Sequence, residues 1–318
     1  MPTMNNNVSI SRAIEGEAAT RAAACRREME QRRANAAKLC PEALRIEKEI
    51  NSVALELSSK IMSSPDDAPA LNALAADLIA HKRSELACAL KAAGLPEDWL
   101  EPVHVCAECR DTGYSKGGIC RCMRQVIINS RFSGSGLDPS ESFESFRFDL
   151  LTDKKQQRAM RKIYDFCQSY ADSFPDNQVG DLLLMGVPGV GKTYLLNCIG
   201  GRVLSRGRSV LKITASKLIE TVLDTMRDPV SERPDFSLPE LLIIDDLGTE
   251  KMINNVTIES LLSMICERQD AHRPTLYATN LGVDVLSARY GSRISSRLIA
   301  PRMVRVISVE TDNVRLKQ

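Results

Sequence analysis

The sequence predicts an α/β fold, a five-stranded parallel sheet wrapped by helices, preceded by a helical region that carries a small four-cysteine unit. Three observations point to it. Residues 186–193 fit G-x-x-x-x-G-K-[ST] at every fixed position, short apolar runs alternate with helical patterns from residue 149 onward, and four cysteines fall in two close pairs between residues 106 and 122.

The first observation is Gly186-Val187-Pro188-Gly189-Val190-Gly191-Lys192-Thr193. Glycines let backbone N–H groups close around phosphate oxygens, and a helix starting after Gly191 turns its positive dipole end toward the anion. Lys192 is expected to reach the β- and γ-phosphates of ATP, and the Thr193 hydroxyl to bind Mg²⁺. Residues 181–185 read as a buried strand entering the loop and residues 194–204 as the helix leaving it, the context this motif requires. A glycine-rich turn without a ligand is the competing reading, and that context weighs against it.

Length and composition bound the rest. At 318 residues the chain has room for about two domains. Lys plus Arg (42) nearly balances Asp plus Glu (41), so any nucleic-acid contact must come from a local groove rather than a global basic field. No long apolar run and no signal-peptide pattern occur, which predicts a soluble cytoplasmic protein without a membrane partner. Cys25, Cys40, Cys88, Cys167, Cys198 and Cys266 lie in helical or apolar stretches and read as buried free thiols.

Residues 13–40, 41–62 and 71–93 read as helices. Ala43, Ile46, Ile50, Val53, Leu57 and Ile61 form one stripe to bury against a partner helix. Gly94 and Pro96 close the third helix. Cys106, Cys109, Cys120 and Cys122 then supply two thiolate pairs across a glycine-containing loop, as a tetrahedral structural Zn²⁺ site requires. The second pair is C-x-C, His104 is a conceivable substitute ligand, and a redox dithiol or a metal-free turn are the weaker alternatives. The predicted division is a helical and zinc-binding domain over 1–130, a linker over 131–148 and a nucleotide-binding domain over 149–318. Phe143, Phe146 and Phe148 follow the glycine- and serine-rich part of the linker. They read first as an entry clamp onto the next core, with a cofactor box as the weaker alternative, and such a segment could still border the adenine.

Strands are predicted at 181–185, 209–213, 240–245, 274–278 and 302–308, with right-handed crossovers and the ligand at the carboxyl ends. Residues 241–244 are apolar and deliver Asp245 and Asp246. Asp245 is placed to hold Mg²⁺ through its water shell, and Asp246 to orient or deprotonate an attacking water. Asn280, directly after a strand, is placed to help position that water, with an ordinary strand-end turn as the alternative. Arg293 and Arg297 stand one helical turn apart on one face. Either could be a solvated charge, or could act on a neighbouring subunit's nucleotide, an effect worth about 10³ to 10⁵ in rate.

With GVPGVGKT, LLIIDDLG, Ala278-Thr279-Asn280 and Ser296-Arg297-Leu298 assembled, residues 143–318 resemble the AAA+ ATPases of the DnaC/DnaI type, the bacterial replicative helicase loaders. That group also includes the IstB-like transposition helpers. The segment CAECRDTGY…CRC is similar to the zinc-bearing amino-terminal domain of the DnaI-like loaders. The resemblance implies that Asp245 and Asp246 are the Walker B pair, Asn280 is sensor 1 and Arg297 is the arginine finger, with Arg293 its runner-up. It implies an amino-terminal domain that grips the hexameric helicase, an ATPase domain that binds ATP and single-stranded DNA, and ATP-dependent self-association. Two departures stand out: Asp246 replaces the usual Glu, which implies slow, switch-like hydrolysis, and only Arg315 is available as a sensor 2 candidate. Arg202, Arg206, Arg208, Lys212 and Lys217 form the densest basic run for DNA, with surface solubility nearly as good an explanation.

The reading is therefore an ATP-dependent helicase loader. A transposition helper would bind duplex DNA and a transposase, and the cysteine segment argues against it. A P-loop kinase would need an acceptor pocket and an arginine-rich lid, and neither is visible. A zinc-dependent DNA-binding regulator with a vestigial ATP site would keep its activity after Lys192→Ala.

Overall fold

The computed structural model describes residues 4–63, 68–227, 235–254, 256–300 and 304–312. By internal contacts the chain divides into two compact units, residues 15–115 and residues 116–318 together with 1–14. Helices α1 (Met4–Leu39), α2 (Pro41–Ser63) and α3 (Ala68–Ala92) account for most of the smaller unit. The α2 stripe behaves as its spacing requires: Ala43, Ile46 and Leu57 are buried and Ile50, Val53 and Ile61 half-buried. Ala43 joins Ala36, Cys40, Leu90 and Leu100 in a small core. Trp99 packs beside it, donating from its indole Nε1 to the Arg32 carbonyl (3.2 Å) beneath the Arg32 guanidinium. After α3 come the two-residue strands β1 (Tyr114–Ser115) and β2 (Gly118–Ile119), paired as a hairpin.

In the larger unit, helix α4 (Arg124–Phe132) takes up the first residues of the expected linker and ends on Ser133 in the left-handed region, φ 56°. It is fastened to the sheet, since the Val210 N–H donates to Gln125 Oε1 at 2.7 Å. Thereafter the order is α5 (Lys154–Ser173), β3 (Asp181–Met185), α6 (Lys192–Ser205), β4 (Val210–Thr214), α7 (Ala215–Arg227), β5 (Leu241–Leu247), α8 (Thr257–Asp270), β6 (Thr275–Thr279), α9 (Val283–Leu298) and β7 (Val304–Ser308). The five predicted strands are all present, with β3 matching residue for residue. The next three begin one residue later than expected, and residues 302–303 lie outside the described residues.

All pairings are parallel, in the order β4-β5-β6-β3-β7. Helices cover both faces, which is why the central strands β3, β5 and β6 are buried almost throughout and read as largely apolar runs. Alternation still decides which core each side chain enters: Leu183, Met185, Leu242, Ile244 and Tyr277 join the face under α7, α8 and α9. Leu182, Leu184, Leu241, Ile243 and Leu276 join the face under α5 and α6. Each such side chain contributes roughly 1.5–3 kcal/mol by leaving water.

Arg268, at the end of α8, is fully buried. Its guanidinium donates to the carbonyls of Phe236 (2.8 Å), Pro239 (3.0 Å) and Pro274 (2.7 Å) and to Thr275 Oγ1 (2.8 Å). It thereby ties together the entrances of β5 and β6. Burial lowers its pKa to about 10, which leaves it charged at neutral pH.

Candidate nucleotide site and cysteine cluster

The loop 186–191 bridges the end of β3 and the start of α6, with Gly191 at the helix N-cap at φ 94°. Lys192 is 6% exposed. Its ammonium donates to the carbonyls of Gly186 (2.8 Å) and Val187 (2.9 Å) and to Asn280 Oδ1 (2.7 Å). Asn280 reaches it because β6 lies between β5 and β3, so the residue after β6 emerges between the loop and the acids of β5.

Asp245 is 4% exposed at the end of β5. Its Oδ1 accepts from Thr193 Oγ1 at 3.2 Å and from the Asp246 N–H at 3.0 Å, and its Oδ2 lies 3.4 Å from Lys212 Nζ. The Thr193 hydroxyl on the first turn of α6 and the Asp245 carboxylate on β5 lie close enough to fit Mg²⁺ held by the hydroxyl and, through its water shell, by the carboxylate. The following residue leaves the strand register: β5 and β6 are irregularly paired between Ile244 and Leu247, and Asp246 adopts φ 53°. This turn exposes the Asp246 carboxylate to the cavity next to Asn280.

That cavity measures about 250 Å³. Residues 188–194 and Asp246 and Asn280 form its polar end, while Phe146, Leu150, Leu151 and Met160 give an apolar end. Phe143, Phe146 and Phe148 pack around Tyr164, with edge contacts at centroid distances of 5.1 to 5.3 Å. Phe146 also meets Tyr194 at 5.2 Å. The three phenylalanines thus clamp the entering chain, and Phe146 alone of them lines the cavity. Apolar walls beside a phosphate-binding loop suit a purine.

The arginines of α9 stand apart from this cavity. Helical geometry is interrupted at Gly291 (φ 76°, ψ 170°), and both arginines belong to the segment beyond it. Arg293 is exposed. Arg297 is half-buried and donates from Nη1 to Gln269 Oε1 at 3.1 Å, while Gln269 Nε2 donates to Asp181 Oδ2 at 3.0 Å. Asp181 opens β3, so Arg297 sits at the amino-terminal end of the sheet, opposite its own phosphate loop. Arg315 lies outside the described residues. Of the basic run, Arg202 pairs with Glu144, Arg208 with Glu240, Lys212 with Asp245 and Lys217 with Glu220, while Arg206 is exposed.

The sulfurs of Cys106, Cys109, Cys120 and Cys122 all lie within 4.8 Å of one another. A tetrahedral zinc with Zn–S of about 2.3 Å places its sulfurs roughly 3.8 Å apart, so the donor set and spacing fit that ion. His104 faces Asp111 instead, Nδ1 to Oδ2 3.5 Å. Asp111 accepts from the N–H groups of Val105 (2.9 Å) and Cys106 (3.0 Å) and so braces the first pair. Burial works to raise its pKa but is outweighed by those two N–H groups, Arg21 and His104, leaving it below the usual range. The expectation for the remaining cysteines needs correction: Cys40, Cys167 and Cys198 are buried and Cys25 and Cys266 half-buried, but Cys88 is exposed on the outer face of α3. An apolar-looking local sequence does not tell which face of a weakly amphipathic helix meets solvent.

Glu250, which the sequence did not single out, is 2% exposed. It accepts from the Tyr290 hydroxyl (2.5 Å), from Arg289 Nε (3.2 Å) and from the Gly248 N–H (2.9 Å). It ties the loop after Asp246 to the near half of α9. A lone Glu in a mixed-charge stretch carries no signal of this.

A phosphate loop between strand and helix, two acids ending a second strand and an amide ending the strand between them define a P-loop ATPase-type domain of the AAA+ class. A family profile described as "IstB-like ATP binding protein" matches residues 116–318. The replicative helicase loader DnaC of Escherichia coli strain K12 is 30% identical over 184 residues, covering 55% of this chain and 71% of that protein. An uncharacterized protein of the same strain, YdaV, is 25% identical over 212 residues, 64% of this chain and 83% of that one. A crystal structure of the DnaC helicase loader is similar with TM-score 0.45 and 18% identity, covering 54% of this chain and 97% of that chain. The chain belongs to the IstB-like ATP-binding protein family, in its group of DnaC-type AAA+ loaders.

Proposed function

We infer that this protein is an ATP-dependent loader of the replicative DNA helicase, binding ATP with Mg²⁺ and single-stranded DNA and docking on the helicase through residues 1–130. The observation that carries the nucleotide half is the meeting of Lys192, Thr193, Asn280 and Asp246 around one cavity, with Asp245 bonded to Thr193 behind it. The 30% identity to a replicative helicase loader supports the partner.

Lys192 exchanges its carbonyl partners for the β- and γ-phosphates, and Thr193 and Asp245 hold the metal, whose charge neutralises the phosphates. Asn280 positions the attacking water and Asp246 accepts its proton. The shorter reach of Asp246 relative to glutamate slows this step and suits a switch. Arg297, remote from its own nucleotide, acts on that of a neighbouring copy, as does Arg293 if Gln269 retains Arg297. Zinc bound by the four cysteines pins the residues that carry the helicase contact.

The test uses the full chain. Lys192→Ala should weaken ATP binding by about 10–100-fold, the loss of a charged hydrogen-bonding partner. Arg297→Ala should leave ATP binding intact and lower assembly-dependent turnover by about 10³-fold or more. Normal helicase loading by both variants would refute the reading. Co-purification with a transposase instead of a hexameric helicase would move the chain to the transposition helpers.

A further inference from the structure

Lys212 is a cation beside the site that the nucleotide reading leaves unused. It sits on β4, an edge strand, where alternation places it on the same face as Ile243 and Asp245 of the adjacent β5. Its side chain is only 12% exposed, and its ammonium runs along the strand to Asp245 Oδ2 at 3.4 Å. Thr193 and the Asp246 N–H occupy the other oxygen. The backbone of Lys212 is fixed as well: its N–H donates to the Ser135 carbonyl at 2.7 Å, and Gly136 lies flat against its carbonyl. A lysine offered to solvent or DNA does not need such an arrangement.

We propose that Lys212 is a positioning residue for the metal step, a resident positive charge that holds Asp245 before nucleotide arrives and competes with the divalent cation for that carboxylate. This rests on the ATP/Mg²⁺ reading of the site. Like charges close together across a poorly hydrated strand end repel more strongly than in water, so Mg²⁺ must displace or outweigh the ammonium to reach its coordination geometry. Nucleotide binding by the wild-type protein therefore requires more Mg²⁺ than the same site would without Lys212. A purely structural ion pair makes a different prediction: its loss lowers stability and leaves the metal requirement alone.

The experiment titrates Mg²⁺ into full-length protein holding a fluorescent ATP analogue, and separately follows Mn²⁺ binding by electron paramagnetic resonance with ADP present. Lys212→Met, which keeps the apolar stem, should lower the half-saturating Mg²⁺ and Mn²⁺ concentrations by about tenfold, and Lys212→Arg should stay within about twofold of wild type. Lys212→Gln, read by the same ratio, replaces Met if the Met variant melts early. An unchanged metal requirement in the neutral variants, or loss of nucleotide binding at unchanged melting temperature, overturns the proposal. If the wild-type protein fails to bind nucleotide at any Mg²⁺ concentration, the ATP reading itself falls, and the proposal with it.

Discussion

Cys167 and Cys88 carry the same thiol in opposite surroundings. Burial among the residues of α5 pushes the Cys167 thiol up to about 12, and burial first, then Glu141, raises that of Cys198. Cys88 is exposed. The thiolate is the reactive form, so brief alkylation of the native protein at pH 8 should label Cys88 and spare Cys167 and Cys198, as peptide mass spectrometry would show. At this scale the sequence disclosed residues whose chemistry is tied to a motif: Lys192, Asp245 and Asn280 stand where their spacing puts them. It was silent where a side chain's role depends on what folds beside it. Lys212 read as one of a basic run because the linear sequence cannot show a lysine lying along a strand toward an aspartate two residues beyond its partner in register. Arg268, within Glu-Arg-Gln-Asp, looks like a surface charge and is instead a buried brace.

Elements were legible in proportion to how strongly their cores constrain them. The central strands β3, β5 and β6, buried on both faces, announced themselves as largely apolar runs, and strand ends slipped by one or two residues because hydrogen bonding rather than hydropathy terminates a strand. The segment after α4 was legible only as flexible composition, yet it is an ordered strap. Gly136 takes φ 72° there, and a Cβ added to it would stand 2.0 Å from the Lys212 carbonyl oxygen. Gly136→Ala should therefore destabilise the larger unit by about 1–3 kcal/mol from backbone strain alone, with the collision adding to it. The measurement is the shift of the urea midpoint at constant slope.

For the molecule as a whole, the phosphate loop and the cysteine cluster are held in place by different residues. The phosphate loop is anchored in the sheet cores, whereas the cysteine cluster closes a short hairpin with few apolar residues of its own. Removing zinc with a strong chelator should abolish capture of the helicase while leaving ATP affinity within about twofold, because metal-binding energy is folding energy only for the segment that ligates it. Equal loss of both activities would show that the cluster supports the motor instead. No helix among the described residues is long and apolar enough to cross a membrane. The break in α9 at Gly291 has a bearing at this scale. Beyond it, Arg293 and Arg297 share one short helical segment, while the piece before it is moored to Glu250. Under the proposed action on a neighbouring copy, any tilt of that segment about Gly291 would carry both guanidinium groups together, as two keys on one ring, without disturbing the part moored to Glu250.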